Sequence, residues 1–403
     1  MSQVPHRATA WALMGVLAVG AAATLRPPAA SAADPIIRVT AASPQALAAD
    51  IANLEWPAGR PFPSAVLVVS GLPQNAVDAM LAKGVASAEG YGQLPLLLSD
   101  SPTQLGSATV QFLETHAVKR AYLIGADANP TLASQLPSQV HPLLLGGATR
   151  FDTAAAVLQY TIQQSVSRYV QQIRQEVTLG WYPPAPIPQQ VQDYLSEFLI
   201  QAVPDNLPPT AIPLIGPEPV VLMQVNREGQ EELPDPEWRV LQQLHDIGVP
   251  GVGPLASLNI SGIFQPSPAL LRQLTTWYGP QKTQAMVQTS PPVPGRDPAG
   301  TIDRTEALKD PTVQGGTEVV VLNLTPQAVE WDLAADELVP PNALQSSPEE
   351  GGTPTVYLDD ASTLPGPVPW LADLHPPIPV IAIGGPDLVA PQVLQQIASA
   401  IGG

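Results

Sequence analysis

The chain is 403 residues long, with 49 Pro, 30 Gly and no Cys. A hydrophobic content of 45% supports a large core, and the lack of Cys excludes disulfides, thiolate nucleophiles and zinc–thiolate sites. The formal charge of −18 argues against nucleic-acid binding, which needs a basic footprint to neutralise phosphate.

Residues 1–33 contain no Asp or Glu. His6 and Arg7 precede an apolar run from Ala8 to Leu25, Arg26-Pro27-Pro28 breaks it, and Ala30-Ser31-Ala32 supplies a small-residue cleavage pattern. This is the layout of a secretory signal peptide. The alternative is a single membrane anchor, but Gly15 and Gly20 dilute a run that barely reaches a span of about 20 residues. The expected mature chain is secreted, or held non-covalently at the cell surface, with no membrane span.

Ala65 to Gly71 is a short, β-branched apolar run, which predicts a strand buried on both faces. Pro73 to Ala88 has helical spacing at Val77, Met80, Leu81 and Val85. Leu94 to Leu98 predicts a second strand, and Ser101-Pro102-Thr103 a helix start running through Val110 and Leu113, with Ser101 as N-cap. Ala121 to Gly125 and His141 to Gly146 predict two more strands, separated by a helix opening at Asn129-Pro130. Strands alternating with helices imply a parallel sheet.

A similar order returns near the C-terminus. Val319 to Leu324, Thr353 to Asp359 and Ile381 to Pro386 read as strands, with helices over Pro326 to Leu338 and Pro391 to Ile401. Pro95 and Pro354 are 259 residues apart, as are Gly125 and Gly384. Two landmarks at one offset predict an internal duplication. Residues 36–51 also echo 143–158, each a strand, a turn and an Ala-rich helix. The expected fold is α/β: duplicated three-layer lobes built on parallel sheets with helices on both faces, plus an inserted helical, Pro-rich region. The expected organisation is a signal peptide over 1–33, a first repeat over 34–142, a second over 143–164 and 316–403, and an insertion over 165–315.

Gly147-Ala148-Thr149-Arg150-Phe151-Asp152-Thr153-Ala154 resembles the Gly-x-x-Arg-(Tyr/Phe)-x-Thr-Ala signature of the cell-wall-binding repeat type 2 family. Val77-Asp78-Ala79, Leu94 to Ser99 and Ile383 to Pro386 are similar to that family's further landmarks. The resemblance covers about residues 36–160 and 316–403. It implies non-catalytic attachment of an exported protein to the envelope of Gram-positive bacteria. The first block has Arg38-Val39-Thr40-Ala41-Ala42 in place of the full signature, and Asp332 matches Asp-Ala-Leu poorly. Family members often carry three repeats; here two align, and a third within 165–315 does not.

Read from the residues alone, Thr149 or Thr153 can cap a helix, and Asp152 suits its positive end. Arg150 can bridge to a carboxylate or to the preceding turn. The functional reading has Arg150 and Arg38 binding an anionic wall polymer, peptidoglycan or an associated one, because the planar guanidinium grips two oxygens. Lys119 and Arg120 would add a basic spot, and Asp78, Asp152 and Thr153 complete the candidate binding set. Residues 310–403 hold no Lys or Arg against 12 acidic side chains, so a polyanion docking there meets repulsion.

In the middle segment, Trp181 to Pro186 is stiff and extended, Val191 to Ala202 reads as an amphipathic helix, and Val220 to Val225 as a strand. Glu237 to Ile247 and Pro268 to Tyr278 read as helices, and Gln288 to Thr301 as a Pro-rich linker. Trp181-Tyr182 and Trp277-Tyr278 could pack between domains or form a sugar-stacking platform.

No hydrolase elbow, zincin, P-loop or dinucleotide motif is present. His116, His141, His245 and His375 lack metal-ligand spacing, so no catalytic residue, metal or cofactor is assigned. The acidic pairs Glu349-Glu350 and Asp359-Asp360 read as solvated loop residues. The combined expectation is an exported, non-catalytic protein associated with the cell wall, with oligomer formation left open. The competing readings are a secreted solute- or carbohydrate-binding protein with a cleft between two lobes, and a secreted carbohydrate-active enzyme, whose carboxylate sites carry no sequence signature.

Overall fold

A computed structural model describes residues 36–57, 62–90, 94–180, 190–191, 194–195, 198–205, 219–246, 256–260, 265–286, 319–323, 355–358, 361–362, 364 and 380–402. The signal segment, Trp181 and Tyr182, the expected helix over Pro326 to Leu338, the linker over Gln288 to Thr301, Asp332, His375 and both acidic pairs lie outside these residues.

The first part of the chain runs β1 (Ile36–Val39), α1 (Pro44–Glu55), β2 (Ala65–Ser70), α2 (Val77–Glu89), β3 (Leu96–Ser99), α3 (Ser107–Thr115), β4 (Arg120–Ile124), α4 (Pro130–Ala133) and β5 (His141–Leu145). It continues through the long helix α5 (Arg150–Thr178) to β6 (Phe198–Pro204), β7 (Val220–Val225), β8 (Gln230–Glu232), α6 (Asp235–Asp246), β9 (Ala256–Ile260), β10 (Gln265–Pro266) and α7 (Pro268–Met286). The last elements are β11 (Val319–Asn323), β12 (Thr355–Leu358), β13 (Val380–Ile383) and α8 (Pro391–Gly402).

These strands form three sheets. The first is all parallel, in the order β3-β2-β4-β5. Every residue of β2 and β3 is buried, as their unalternating apolar sequences require. Leu67, Val69, Tyr122 and Ile124 share one hydrophobic cluster with Met80, Leu81 and Val85 of α2. Val66, Val68, Ala121 and Leu123 belong to another, with Phe112 and Leu113 of α3. The first sheet is therefore the middle layer of three, with helices on both faces.

The C-terminal sheet is also all parallel, in the order β12-β11-β13-β1. Its fourth strand is the N-terminal β1, paired from Ile36↔Val380 to Val39↔Ile383. β5 occupies the corresponding edge of the first sheet. The expected α/β class with parallel sheets holds.

Two helix assignments need correction. Residues 198–202, read as the end of a helix, belong to β6, which pairs in parallel with β7 and β9 and so sits inside a five-stranded sheet of order β10-β8-β7-β6-β9. Pairing on both edges overrides the helical periodicity of Val191 to Ala202. The middle segment is thus not helical alone. Ser101 does not cap α3: its hydroxyl accepts from Thr103 N, its main chain exchanges hydrogen bonds with Gln104, and the helix starts after Gly106. A local side-chain turn competes with the cap at this position.

The largest hydrophobic cluster draws on all three sheets, including Leu67 and Val69 of the first, Val203 and Leu222 of the second, and Val321 and Val380 of the third. Helices carry the chain between sheets. α1 follows β1 but packs on β3 and α3 of the first sheet, and α5 follows β5 and packs on α2 of the first sheet as well as on β7 and α6 of the second.

Candidate functional site

Open parallel sheets present ligand-binding positions beyond the C-terminal ends of their strands, where neighbouring connections leave in opposite directions. In the first sheet that point lies between β2 and β4, and the signature follows β5, the edge strand beside β4. Thr149 caps α5 by accepting from Asp152 N at 3.2 Å, and Asp152 Oδ2 accepts from Thr149 N at 3.0 Å, a reciprocal capping box. The buried Thr153 hydroxyl accepts from Gly147 N at 3.2 Å. A Cβ at Gly147 would fall 2.2 Å from Asp152 Cβ, which explains the glycine in the signature.

Asp78, in the first turn of α2, is buried and accepts from Ala126 N at 3.0 Å. Burial pushes its carboxyl up to about 6, against that hydrogen bond. Its carboxylate lies over Gly125, whose φ of +64° only glycine adopts without strain.

Arg150 points away from this cluster. It donates to Asp205 O at 2.9 Å, and its other terminal nitrogen lies 3.3 Å from Asp205 Oδ2, which ties α5 to the end of β6. Its guanidinium carbon is 5.6 Å from the Phe151 ring centre. Arg38 has a similar role in the C-terminal sheet, donating to Gly384 O at 2.9 Å and Val389 O at 2.6 Å. Partial burial lowers its pKa, opposed by Asp387. Both arginines use their planar forks on the protein's own groups, Arg38 on two carbonyls and Arg150 on a carbonyl and a carboxylate.

Lys119 and Arg120 stand at the start of β4, the end opposite Asp78 and the signature. Lys119 is exposed. Arg120 faces Glu89 at 3.8 Å and donates to Tyr122 Oη at 3.2 Å. Tyr160 of α5 bonds both Glu89 and Tyr122 there, which joins α2, β4 and α5 in one network. The sequence-predicted set thus divides between the two ends of one sheet and the loop after another.

Trp277 stacks on Trp238 of α6, with ring centres 4.1 Å apart and planes at 14°. Lys282 Nζ sits 5.3 Å from the Tyr278 ring centre, and burial raises the Tyr278 pKa. Both residues pack against the hydrophobic cluster of the middle sheet. The pairing partner Trp238 was not apparent from sequence, because it lies about forty residues from Trp277 on a different helix.

Besides Asp78, three buried acidic groups carry no motif in the sequence. Asp127, Glu231 and Glu237 are almost fully buried, and burial pushes them up to about 7, about 7 and about 9. Glu237 accepts from Leu222 N and also feels the negative charges of Asp205 and Asp152. Ser99, fully buried at the end of β3, completes the group. A signal existed only for Asp127, in the turn Gly125-Ala126-Asp127 after a buried strand. Among the described residues no group of three or more His, Asp and Glu is arranged for a metal, and no helix is long and apolar enough to cross a membrane.

No protein-family model matches the chain, and no curated protein matches it in sequence. A solved structure does: Cwp6 from Clostridium difficile, with a TM-score of 0.56 and 16% identity over 91% of this chain. The two share a fold. The match covers 48% of that chain, so this protein spans about half its length.

Proposed function

We propose that this is an exported, non-catalytic protein that associates with the bacterial cell wall. The observation that carries the proposal is the Gly147 to Ala154 signature, seated at a strand-to-helix turn of a parallel sheet in a body that shares its fold with Cwp6 from Clostridium difficile. The absence of Asp and Glu from residues 1–33, with their apolar run and small-residue site, supports export. On this reading Arg150 and Arg38 serve mainly to hold the sheets together, and wall contact falls to exposed groups: the outward half of Arg150, whose side chain is 50% exposed, and Lys119 at the other end of the first sheet.

Co-sedimentation of residues 34–403 with purified walls tests this, using walls with and without their anionic polymers. Retention that needs the polymer and falls with salt is expected, since exposed cations bind polyanions through screened attraction. Arg150→Ala is compared at a temperature where both proteins are folded, because loss of the Asp205 bridge also lowers stability. No retention on either wall preparation would refute the proposal.

A further inference from the structure

Above the C-terminal ends of the first sheet's strands, three polar side chains meet without a counter-charge. Ser70 and Ser99 are paired in register, and continuing the β2–β4 register places Gly125 on the other side of Ser70. Asp78 covers Gly125 so closely that a Cβ there would lie 1.9–2.1 Å from its carboxyl atoms. Asp127 follows in the same turn, fully buried, and neither of its oxygens has a hydrogen-bond partner. The Ser99 hydroxyl, also fully buried, lies close enough to the Asp127 carboxyl to favour its charged form. Asp78 adds a like charge to Asp127, and among the described residues no cationic side chain acts on either one.

The C-terminal sheet shows what is missing. Arg38 pairs in register with Ala382, two residues before Gly384, and sets its guanidinium on the loop after β13. In the first sheet Leu144 pairs with Leu123, two residues before Gly125. Leu144 therefore holds the position that Arg38 holds in the other sheet, and it is 42% exposed and uncharged. The first sheet has the carboxylates and lacks the fixed cation.

We propose that Asp78, Asp127 and Ser99 form a binding site for a small, hard divalent metal cation. Buried unpartnered oxygens signal an unfilled demand for a proton donor or an ion. A donor set of oxygens alone, two of them carboxylates, selects calcium- or magnesium-type cations over softer metals. The remaining coordination positions of such an ion are ordinarily filled by carbonyls and water. Protons compete for the same oxygens, so occupancy rises with pH.

The test is thermal melting of residues 34–403, first stripped with EDTA, then titrated with calcium or magnesium chloride at pH 8 and at pH 5. At pH 8 either cation is expected to raise Tm by roughly 5 °C at a hundredfold excess over its Kd. The rise should vanish at pH 5 and reverse with EDTA. Asp127→Asn keeps the shape of the side chain and should abolish the response. Leu144→Arg, at an exposed position, should supply an internal cation and move the calcium midpoint to higher concentration. A wild-type Tm unmoved by both cations at pH 8 overturns the proposal and leaves the proton as the neutralising species. A response that survives unchanged in Asp127→Asn overturns it too.

Discussion

Asp78, Asp127, Glu231 and Glu237 are carboxyls placed where water cannot reach them, and none is balanced by a nearby guanidinium or ammonium among the described residues. Taking a carboxylate out of water disfavours its charged form, which is why all four sit above the ordinary value of about 4. The sign of the linkage follows. Between about pH 4 and the raised values the folded chain holds protons that the unfolded chain has released. Stability is therefore fully present below about pH 4 as far as these groups go, and it falls as pH rises through about 6 for Asp78, about 7 for Asp127 and Glu231, and about 9 for Glu237. In EDTA, Tm measured by circular dichroism should be higher at pH 5 than at pH 8. Replacing Glu237 with Gln should remove the most alkaline part of that slope. A Tm that is flat or rises across the interval would show that these carboxyls are solvated.

At the scale of elements, the turns after the third strands carry unusual backbone. Gly125 and Gly384 each follow such a strand and hold φ of +64° and +90°. Gly180, after α5, has φ of +74° with nothing within 4 Å of a built Cβ. Gly180→Ala should thus cost only the left-handed backbone penalty, about 1–2 kcal/mol. Gly125→Ala carries that penalty and also drives a methyl group into the Asp78 carboxyl, so it should cost distinctly more, about 3 kcal/mol or above. Urea denaturation of both variants measures the difference; equal costs would mean that Asp78 moves aside freely. These turns were legible in sequence, because Gly at the end of a short apolar run marks a strand end. The strands of the first sheet were legible for the same reason. β6 was not, since its flanking residues carry helical periodicity and only its pairing with β7 and β9 makes it a strand. The candidate site was legible as far as Asp78 and the capping box, which lie in local patterns. Ser99 and the burial of Asp127 were not, because they depend on strands paired across 29 residues (Leu67↔Leu96) and 55 residues (Ala65↔Arg120) of sequence.

For the whole molecule, the pairing that matters most joins the two ends of the described chain. β1 forms the fourth strand of a sheet whose other strands come after residue 318, while the helix that follows it packs on the first sheet. No local sequence pattern specifies such a connection, since strand partners are chosen by long-range packing. It makes β1 a clasp: its ladder to β13 is fastened by Arg38 on Gly384 and Val389, and Gly384 N returns a hydrogen bond to Val39 O at 2.9 Å. Arg38→Ala removes two guanidinium bonds and leaves their carbonyls partly buried, a loss of about 2–3 kcal/mol. Lys should rescue little, because one ammonium cannot span both carbonyls as the fork does. The loss should be local. Amide exchange in β13 and α8 should quicken in Arg38→Ala while β2, β3 and β4, which α2 and α3 cover on their two faces, keep wild-type protection. Uniform acceleration across both sheets would instead mean that the ends of the chain and the first sheet unfold as one cooperative unit, with α1 transmitting the loss of the clasp to the sheet on which it packs.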